Sequence, residues 1–467
     1  MVQIPILSGV YTDGGPDFRL AYPVNLVPTP TDSGISAGYL RPADGLVQTG
    51  TGPGVCRGGI EWRGGCYRVM GTKLVSVDNI GNVTTLGDVG GAGVVSFAYG
   101  FDFLAVSSDG ALFYWDGTTL TQVTDTDLGT VLDVVWLDGY FVTTDGDFLV
   151  VTELADPTSV NPLKYGSSEI DPDPITGIEV LRNELYALNR FTIEVFDNVG
   201  GEGFPFQRIE GAHITKGAVG THAKCVFMDT IAFVGSGRNE APGVYMAAAG
   251  NANKISTVEI DRILASYNEE ALATIVVEFR NDNAHQHLYI HLPDRTLVFD
   301  GTASQALGQA VWFTLTSSLV GFSTYRGRFF VWCFNRWQAA DPTSFSVGYM
   351  TQETGAHWGS EVRWEFSTGI VYNASKGAIL HELELVSLTG RVTLGASPTV
   401  STSYSVDGET WSQDNTIAAG GIGDRAKRLR WMRNGAMRNW RAQRFRGTST
   451  AHLSFARLEA RIEPLEF

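Results

Sequence analysis

The sequence predicts an all-β fold: a degenerate β-propeller of about six or seven blades with one inserted helix, followed by a C-terminal antiparallel β-sandwich. Three observations predict it. One strand–turn–strand pattern returns along residues 64–337 at a nearly constant interval. The 54 glycines are scattered through the chain, often beside Asp or Asn, as tight turns between strands require. From about residue 360 onward, polar and apolar residues alternate with period two.

Residues 1–45 form an N-terminal arm with the first strands. The propeller is expected over 46–355. Its hairpins are GGCYRVMGTKLVSVD (64–78), DFLAVSSDGALFYWDG (102–117), GYFVTTDGDFLVVTE (139–153), NELYALNRFTIEVFD (183–197), DTIAFVGSGRNEAPGVYMA (229–247), HLYIHLPDRTLVFDG (287–301) and GRFFVWCFNRW (327–337). Taken as first strands, they begin near Cys66, Phe103, Tyr140, Leu185, Thr230, Leu288 and Phe329. The intervals are 37 to 45 residues, with one of 58, which is the length of a four-stranded blade. A blade cannot cover its own faces, so neighbours stack around an axis and leave a central channel. Two ordinary sandwiches would show no such period. No WD or kelch double-glycine series accompanies the repeat, hence its degenerate character.

The long interval holds STVEIDRILASYNEEALATIVVEFR (256–280). Ile260, Ile263, Leu264, Leu272 and Ile275 follow helical spacing, which predicts a helix near 260–275 on a blade edge. The sandwich is expected over 356–467, from EVRWEFSTGIVY, GAILHELELVSL, RVTLGASPTVSTSYSVDGETWS and HLSFARLEARIEPLEF, with a turn at Gly435 inside its basic segment 425–446.

Composition narrows the function. A chain of 467 residues needs a repeated core, and 43% hydrophobic and 11% aromatic residues can supply one. No run of 18 apolar residues is present, and the N-terminus lacks a basic, apolar leader pattern. Cys56, Cys66, Cys225 and Cys333 form no CxxC pair and read as free thiols made in a cytoplasm. Residues 1–423 carry 23 Lys and Arg against 46 Asp and Glu, a net −23. Residues 424–467 carry 11 against 4, a net +7. An acidic body of this kind repels free nucleic acid. The basic end suits an acidic partner, phosphate, or the chain's own acidic body.

No motif commits the chain to catalysis. SVDGETW (405–411) is one residue short of a sialidase Asp box and reads as a hairpin turn with Trp411 packed inward. His285, His287 and His291 share a strand face but lack an identifiable acidic or Cys partner at ligand spacing, so they read as exposed histidines rather than a metal site. Gly50, Gly52 and Gly54 precede a strand, not a helix, and read as a turn rather than a phosphate loop. No G-x-S-x-G, HExxH or Walker sequence occurs. Asp125, Asp127, Asp133, Asp138, Asp145, Asp147 and EIDPDP (169–174) leave a glycan-processing or glycan-binding propeller, acting on host surface polysaccharide, as the alternative. A monomeric binding scaffold is the third class considered. Neither metal nor cofactor is expected.

One segment does suggest binding. Arg425, Lys427, Arg428, Arg430, Arg433, Arg438, Arg441, Arg444 and Arg446 interleave with Trp431, Trp440 and Phe445. Arg and Trp dominate protein–protein hot spots, and a net charge of −16 favours a partner contact here over DNA.

Several segments resemble the tail nozzle, or packaged-DNA stabilisation, family (tail accessory factors) of short-tailed bacteriophages. They are YPVNLVPTPTDSGISAGYLRPADGL (22–46), GVCRGGIEWRGGCYRVMGTKL, GDVGGAGVVSFAYG and DGALFYWDG, then HITKGAVGTHAKCVFMDTIAFVG (213–235), YNEEALA (267–273) and YIHLPDRTLVFD (289–300). The resemblance covers most of the chain and is weaker from 310 to 390. It implies a non-enzymatic virion protein of the tail, assembled in the host bacterial cytoplasm. It further implies a homohexameric ring below the head–tail connector that closes the DNA exit, retains the genome and docks needle, fibre or spike proteins. Double-stranded DNA would pass transiently through the lumen of that ring. No catalytic residue carries over.

Overall fold

A computed structural model describes residues 2–12, 17–31, 36, 38–154, 156–282, 284–374, 376–392 and 396–466. The chain forms two compact units, one of residues 48–293 and 326–349, the other of residues 1–47, 294–325 and 350–467.

The first unit is the propeller. Its first blade is the antiparallel sheet Cys56–Trp62, Gly65–Met70, Lys73–Val77 and Val83–Asp88. The second blade is Ser96–Tyr99, Leu104–Ser108, Ala111–Trp115 and Leu120–Gln122. The third is Asp133–Leu137, Tyr140–Thr144, Phe148–Thr152 and Val160–Ser167, and the fourth Ile175–Leu181, Glu184–Asn189, Ile193–Asn198 and Phe206–Arg208. The fifth holds Lys224–Phe227, Thr230–Ser236, Gly243–Ala248 and Asn251–Lys254. Val276–Asp282 with His285–His291 begins a sixth, and Arg328–Cys333 with Arg336–Ala340 a seventh. The first strands of these sheets neighbour one another in a closed circle, the seventh returning to the first. The expectation of six or seven blades resolves as seven among the described residues.

Residues near the start of this unit complete the seventh blade. Gly52 N donates to Phe345 O at 2.8 Å, and a Cβ on Gly50 would meet Val347 at 3.2 Å. Gly50 therefore lies in the strand Gly45–Thr51, not in the expected turn, which begins only at Gly52. That Cβ would also lie 1.9 Å from Gly81 O, so only glycine fits.

Apolar faces meet between neighbouring blades, not in one central core. Trp62, Val69 and Leu74 of the first blade pack with Val106, Phe113 and Trp115 of the second. Tyr114 and Phe141 join the second to the third, with ring centres 5.0 Å apart. Cys56, Cys66 and Met70 meet Phe329, Val331 and Cys333 where the circle closes. Each interface supplies burial that a lone blade lacks.

The repeat read from sequence is displaced by one strand. Six of its hairpins are the second and third strands of a blade, because those are the most apolar. The last, GRFFVWCFNRW, is the first and second. The expected helix is two. Val258–Ala265 is capped by Thr257, and Glu269–Ala273 is capped by Asn268, whose side chain accepts from Ala271 N at 2.9 Å. Asn268 favours the cap over continuation, which splits the helical pattern. The first helix buries Ile260 and Leu264 beside Gly243–Ala248.

The second unit holds the sandwich. One sheet runs Leu26–Pro30, Gly38–Pro42, Phe455–Pro464, Ala378–Ser387, Leu429–Met432, with Val2–Ile4 also on Phe455–Pro464. The other runs Arg363–Ser367, Trp440–Thr448, Thr399–Ser405, Asn415–Ala418. N-terminal strands are thus built into the same sheet as C-terminal ones. Leu383, Leu385, Leu429, Trp431, Trp364, Phe366, Phe445 and Phe455 fill the space between the sheets. Of the expected segment 391–400, residues 393–395 lie outside the described residues, and the strand begins at Thr399. Asn25, at φ +51°, ties three segments of this unit together. Its Nδ2 donates to Thr316 O at 2.8 Å and Arg363 O at 2.7 Å, and its Oδ1 accepts from Thr316 N at 3.1 Å.

Candidate functional site

The first strand of each blade has one edge with no further strand, so its amides face the axis. Acidic side chains answer them. Asp133 Oδ2 on the third blade accepts from Ile178 N on the fourth at 3.0 Å. Glu278 on the sixth accepts from Phe329 N and Phe330 N on the seventh, at 2.9 and 2.7 Å. These bonds satisfy donors that would otherwise be orphaned.

The channel between the first strands holds a cavity of about 360 Å³ whose lining includes Asp133, Glu179, His222, Lys224, Cys225 and Glu278. Lys224 Nζ lies 2.8 Å from Asp133 Oδ2. Burial works against the lysine's charge, but Asp133 and then Glu179 outweigh it and raise its pKa. Burial raises Glu179 and pushes Cys225 well up, and it pushes His222 down to about 4. Glu278 stays below the usual carboxylate range despite burial, through His291, 3.2 Å away, and the two amides. A second cavity of about 460 Å³ continues along Ile60, Phe97, Val135 and Glu179 to a mouth formed by Tyr99, Phe101, Trp136 and Val180. Volumes of this order hold a small molecule or a side chain. They do not pass a duplex.

The sequence reading named Asp133 and Cys225 without placing them together, and Glu179, His222, Lys224 and Glu278 escaped it. A signal was present: an ionisable residue stands in the first strand of successive blades, at Asp133, Glu179, Lys224 and Glu278.

The basic segment divides into separate environments. Leu429 and Trp431 face the sandwich core while Arg428 and Arg430 face outward, Arg430 standing opposite Glu384 in the register. Arg428 Nε donates to Glu384 Oε1 at 2.6 Å, Arg430 pairs with Glu382, and Arg446 pairs with Asp414. These three arginines are answered by the chain's own acids. Arg444 lies over the Trp411 ring at 4.1 Å. Arg441 does not reach the surface. It is 1% exposed, donates to Gln443 Oε1 at 3.1 and 2.9 Å, and stacks on Tyr404 at 3.8 Å. Its inclusion among the binding residues is corrected: strand alternation turns it inward. Arg425, Lys427, Arg433 and Arg438 are exposed, with no ion pair among the described residues.

The other sequence motifs find structural roles. Asp407 Oδ1 accepts from Ser405 Oγ at 2.8 Å and from the amides of Glu409 and Thr410 at 3.0 and 2.8 Å, a turn that holds the carboxyl well below its usual range. Trp411 is half-buried under Arg444, not packed inward. His287 and His291 are buried, not exposed, since the second strand of a blade is covered on both faces. Asp125 caps the turn Thr126–Leu128, Asp145 closes the turn before Phe148, and Asp173 accepts from Phe191 N at 2.6 Å. Asp138 holds Asn183 and Asn198 at 3.1 and 2.9 Å. These acids shape loops, while Asp147, Glu169, Asp171 and Asp173 also line a surface cavity of about 480 Å³. All four cysteines are free. Arg68 Nη1 lies 3.7 Å from Cys56 Sγ and donates to Phe329 O at 2.8 Å.

Comparison with known proteins divides the chain in sequence order, unlike the two compact units. The family model described as the bacteriophage P22 Gp10 β-propeller matches residues 2–355, and that described as the bacteriophage P22 Gp10 β-sandwich matches residues 363–463. The tail hub protein gp10 of Salmonella phage P22 is 29% identical over 487 residues, covering 99% of each chain. Among solved structures, the Neurospora crassa Pan2 WD40 domain matches at TM-score 0.42 and 9% identity, over 64% of this chain and 93% of that one. BamB from Moraxella catarrhalis matches at TM-score 0.38 and 13% identity, over 75% and 98%.

Proposed function

Because this chain belongs to the bacteriophage P22 Gp10 family, we propose that it is a structural protein of a phage tail, acting as a nozzle ring rather than as an enzyme. The observation that carries this reading is end-to-end similarity to a tail hub protein, through both the propeller and the sandwich. In the proposed role the chain forms a homohexamer below the head–tail connector, closes the DNA exit, retains the packaged genome and docks needle, fibre or spike proteins. The channel supports this indirectly. It is narrow and ion-paired, so a duplex would run through the lumen of the assembled ring and not along the propeller axis. Exposed Arg425, Lys427, Arg433 and Arg438 are the proposed partner contacts on the sandwich. The domain scheme proposed for this role remains an arm over 1–45, a propeller over 46–355 and a sandwich over 356–467.

Two measurements test the proposal. Electron microscopy of particles should place the chain in the tail as a six-fold ring, and particles assembled without it should lose DNA to nuclease. Intact, DNA-filled particles that lack the chain would overturn the reading.

A further inference from the structure

At the mouth of the propeller channel, aromatic rings stand in the open. Phe101 is 81% exposed and Tyr99 51%, and Phe101 meets Trp136 edge-on with ring centres 5.6 Å apart. Glu179 lies in the lining below them and is shared with the ionic part of the channel. Its Oε1 accepts from Val180 N at 3.2 Å, and among the described residues no cation lies within ion-pair distance of it. Lys224 pairs with Asp133 and also acts on Glu179 across the lining. The site is thus an open aromatic cup with the Glu179 carboxyl at its base, above a lining richer in acids than in cations.

We propose that this mouth binds a lysine or arginine side chain presented on an extended segment of a partner protein, with Glu179 as its counter-charge. Charge complementarity favours a cation, since the lining below the cup holds three carboxyl groups, Asp133, Glu179 and Glu278, against the single ammonium of Lys224. Ring faces attract cations, and most strongly where water is excluded. The apolar walls suit the methylene stem that a lysine or arginine buries behind its charged head. A cavity of about 460 Å³ takes such a side chain with its flanking backbone. Phe101 and Tyr99 extend the apolar surface outward beyond what a free small cation would cover, which favours a protein segment. The turns that carry the cup are tied blade to blade. Arg63 lies 3.5 Å from Asp102 and stacks on Trp62, and Arg182 pairs with Asp229. Arg63 is therefore held on the rim and does not fill the cup, and the site is formed before its ligand arrives.

This inference goes beyond the tail assignment and does not depend on it. Its test uses the full chain and a fluorescent extended peptide with one central lysine, alongside the same peptide carrying norleucine or glutamate. The lysine peptide should bind at least about ten-fold more tightly than the norleucine peptide, and the glutamate peptide should bind least. Glu179→Gln should abolish the preference for lysine over norleucine. Phe101→Ala, on an exposed turn where the fold has little at stake, should weaken the lysine peptide. Circular dichroism and Tm confirm that both variants fold. Equal binding of lysine and norleucine peptides, no binding of either, or lysine preference surviving in Glu179→Gln would overturn the proposal. So would binding of spermidine with no binding of the peptide.

Discussion

Lys224 on the fifth blade reaches past the fourth to lie 2.8 Å from Asp133 on the third, with both side chains less than a tenth exposed. Asp133 also accepts from the edge amide of Ile178 between them. One carboxylate thus holds three successive blades at the axis. Removing the amine strands a buried charge, so Lys224→Met should destabilise by about 3 kcal/mol in chemical denaturation. Asp133→Asn in the same chain should recover part of the loss. The folded pKa of Lys224 is raised, so the pair contributes fully at neutral pH and fades only as pH rises through that value.

His222 supplies a response at the acid side. Burial holds its folded pKa near 4, below the unfolded value of about 6.5. Its contribution is therefore complete above about pH 6.5 and is lost as pH falls toward 4. Unfolding free energy should drop by roughly 1–3 kcal/mol across that window, after discounting for water in the channel. In His222→Gln the slope over the same window should flatten. An unchanged slope would assign the acid sensitivity to other groups.

The basic segment should separate into folding and surface residues. Arg441→Ala removes a buried guanidinium from Gln443, Asn434 and Tyr404, and should cost about 2–4 kcal/mol of sandwich stability. The combined charge reversal Arg425→Glu, Lys427→Glu, Arg433→Glu and Arg438→Glu should leave Tm within about 2 °C, because exposed unpaired charges contribute little. That variant should instead lose incorporation into particles, read by gel analysis of purified virions. Normal incorporation would remove these four residues from the proposed contact.

Gly50→Ala tests the closing strand. The added Cβ would enter contact with Gly81 O at 1.9 Å, and overpacking of this kind costs about 1–3 kcal/mol. Limited proteolysis should then cut first within the seventh blade.

At Asp407 the carboxyl is held down by four donors in an exposed turn. Its contribution is present above the unfolded pKa near 4 and disappears below it. Asp407→Ala should lower Tm at pH 7, and the difference from the parent chain should shrink as pH falls below about 4.

The propeller was legible because Asp109–Gly110 and Asp138–Gly139 announce two-residue turns, both residues of each having positive φ. The blade boundaries were less so. Arg182–Asn183 and Met228–Asp229, between the first and second strands of the fourth and fifth blades, make similar turns without glycine and left a weaker mark. Strand alternation predicted which residues of GAILHELELVSL face the sandwich core only after Glu382. A bulge between Leu380 and Glu382 shifts the phase, as a local pattern cannot foresee. The basic segment was visible as charge, but its division was not. Whether an arginine finds Glu384, a tyrosine ring or open water depends on strands far away in sequence. The channel was hidden for a similar reason: Asp133, Glu179, Lys224 and Glu278 are separated by at least 45 residues, and only closure of the circle brings them to one axis.

The pairing of residues 49–52 with 345–347 also sets an order in time. A ribosome delivers the first of these segments some three hundred residues before the second. Until then the opening strand has no mate, and the growing blades form an open arc with two unsatisfied ends. The last step of propeller folding is therefore a search by an early segment for a late one, and any second chain offering residues 345–347 sooner would compete for it. Gly50 inside that early strand, with Gly52 just past its end, weakens what else it can pair with while it waits.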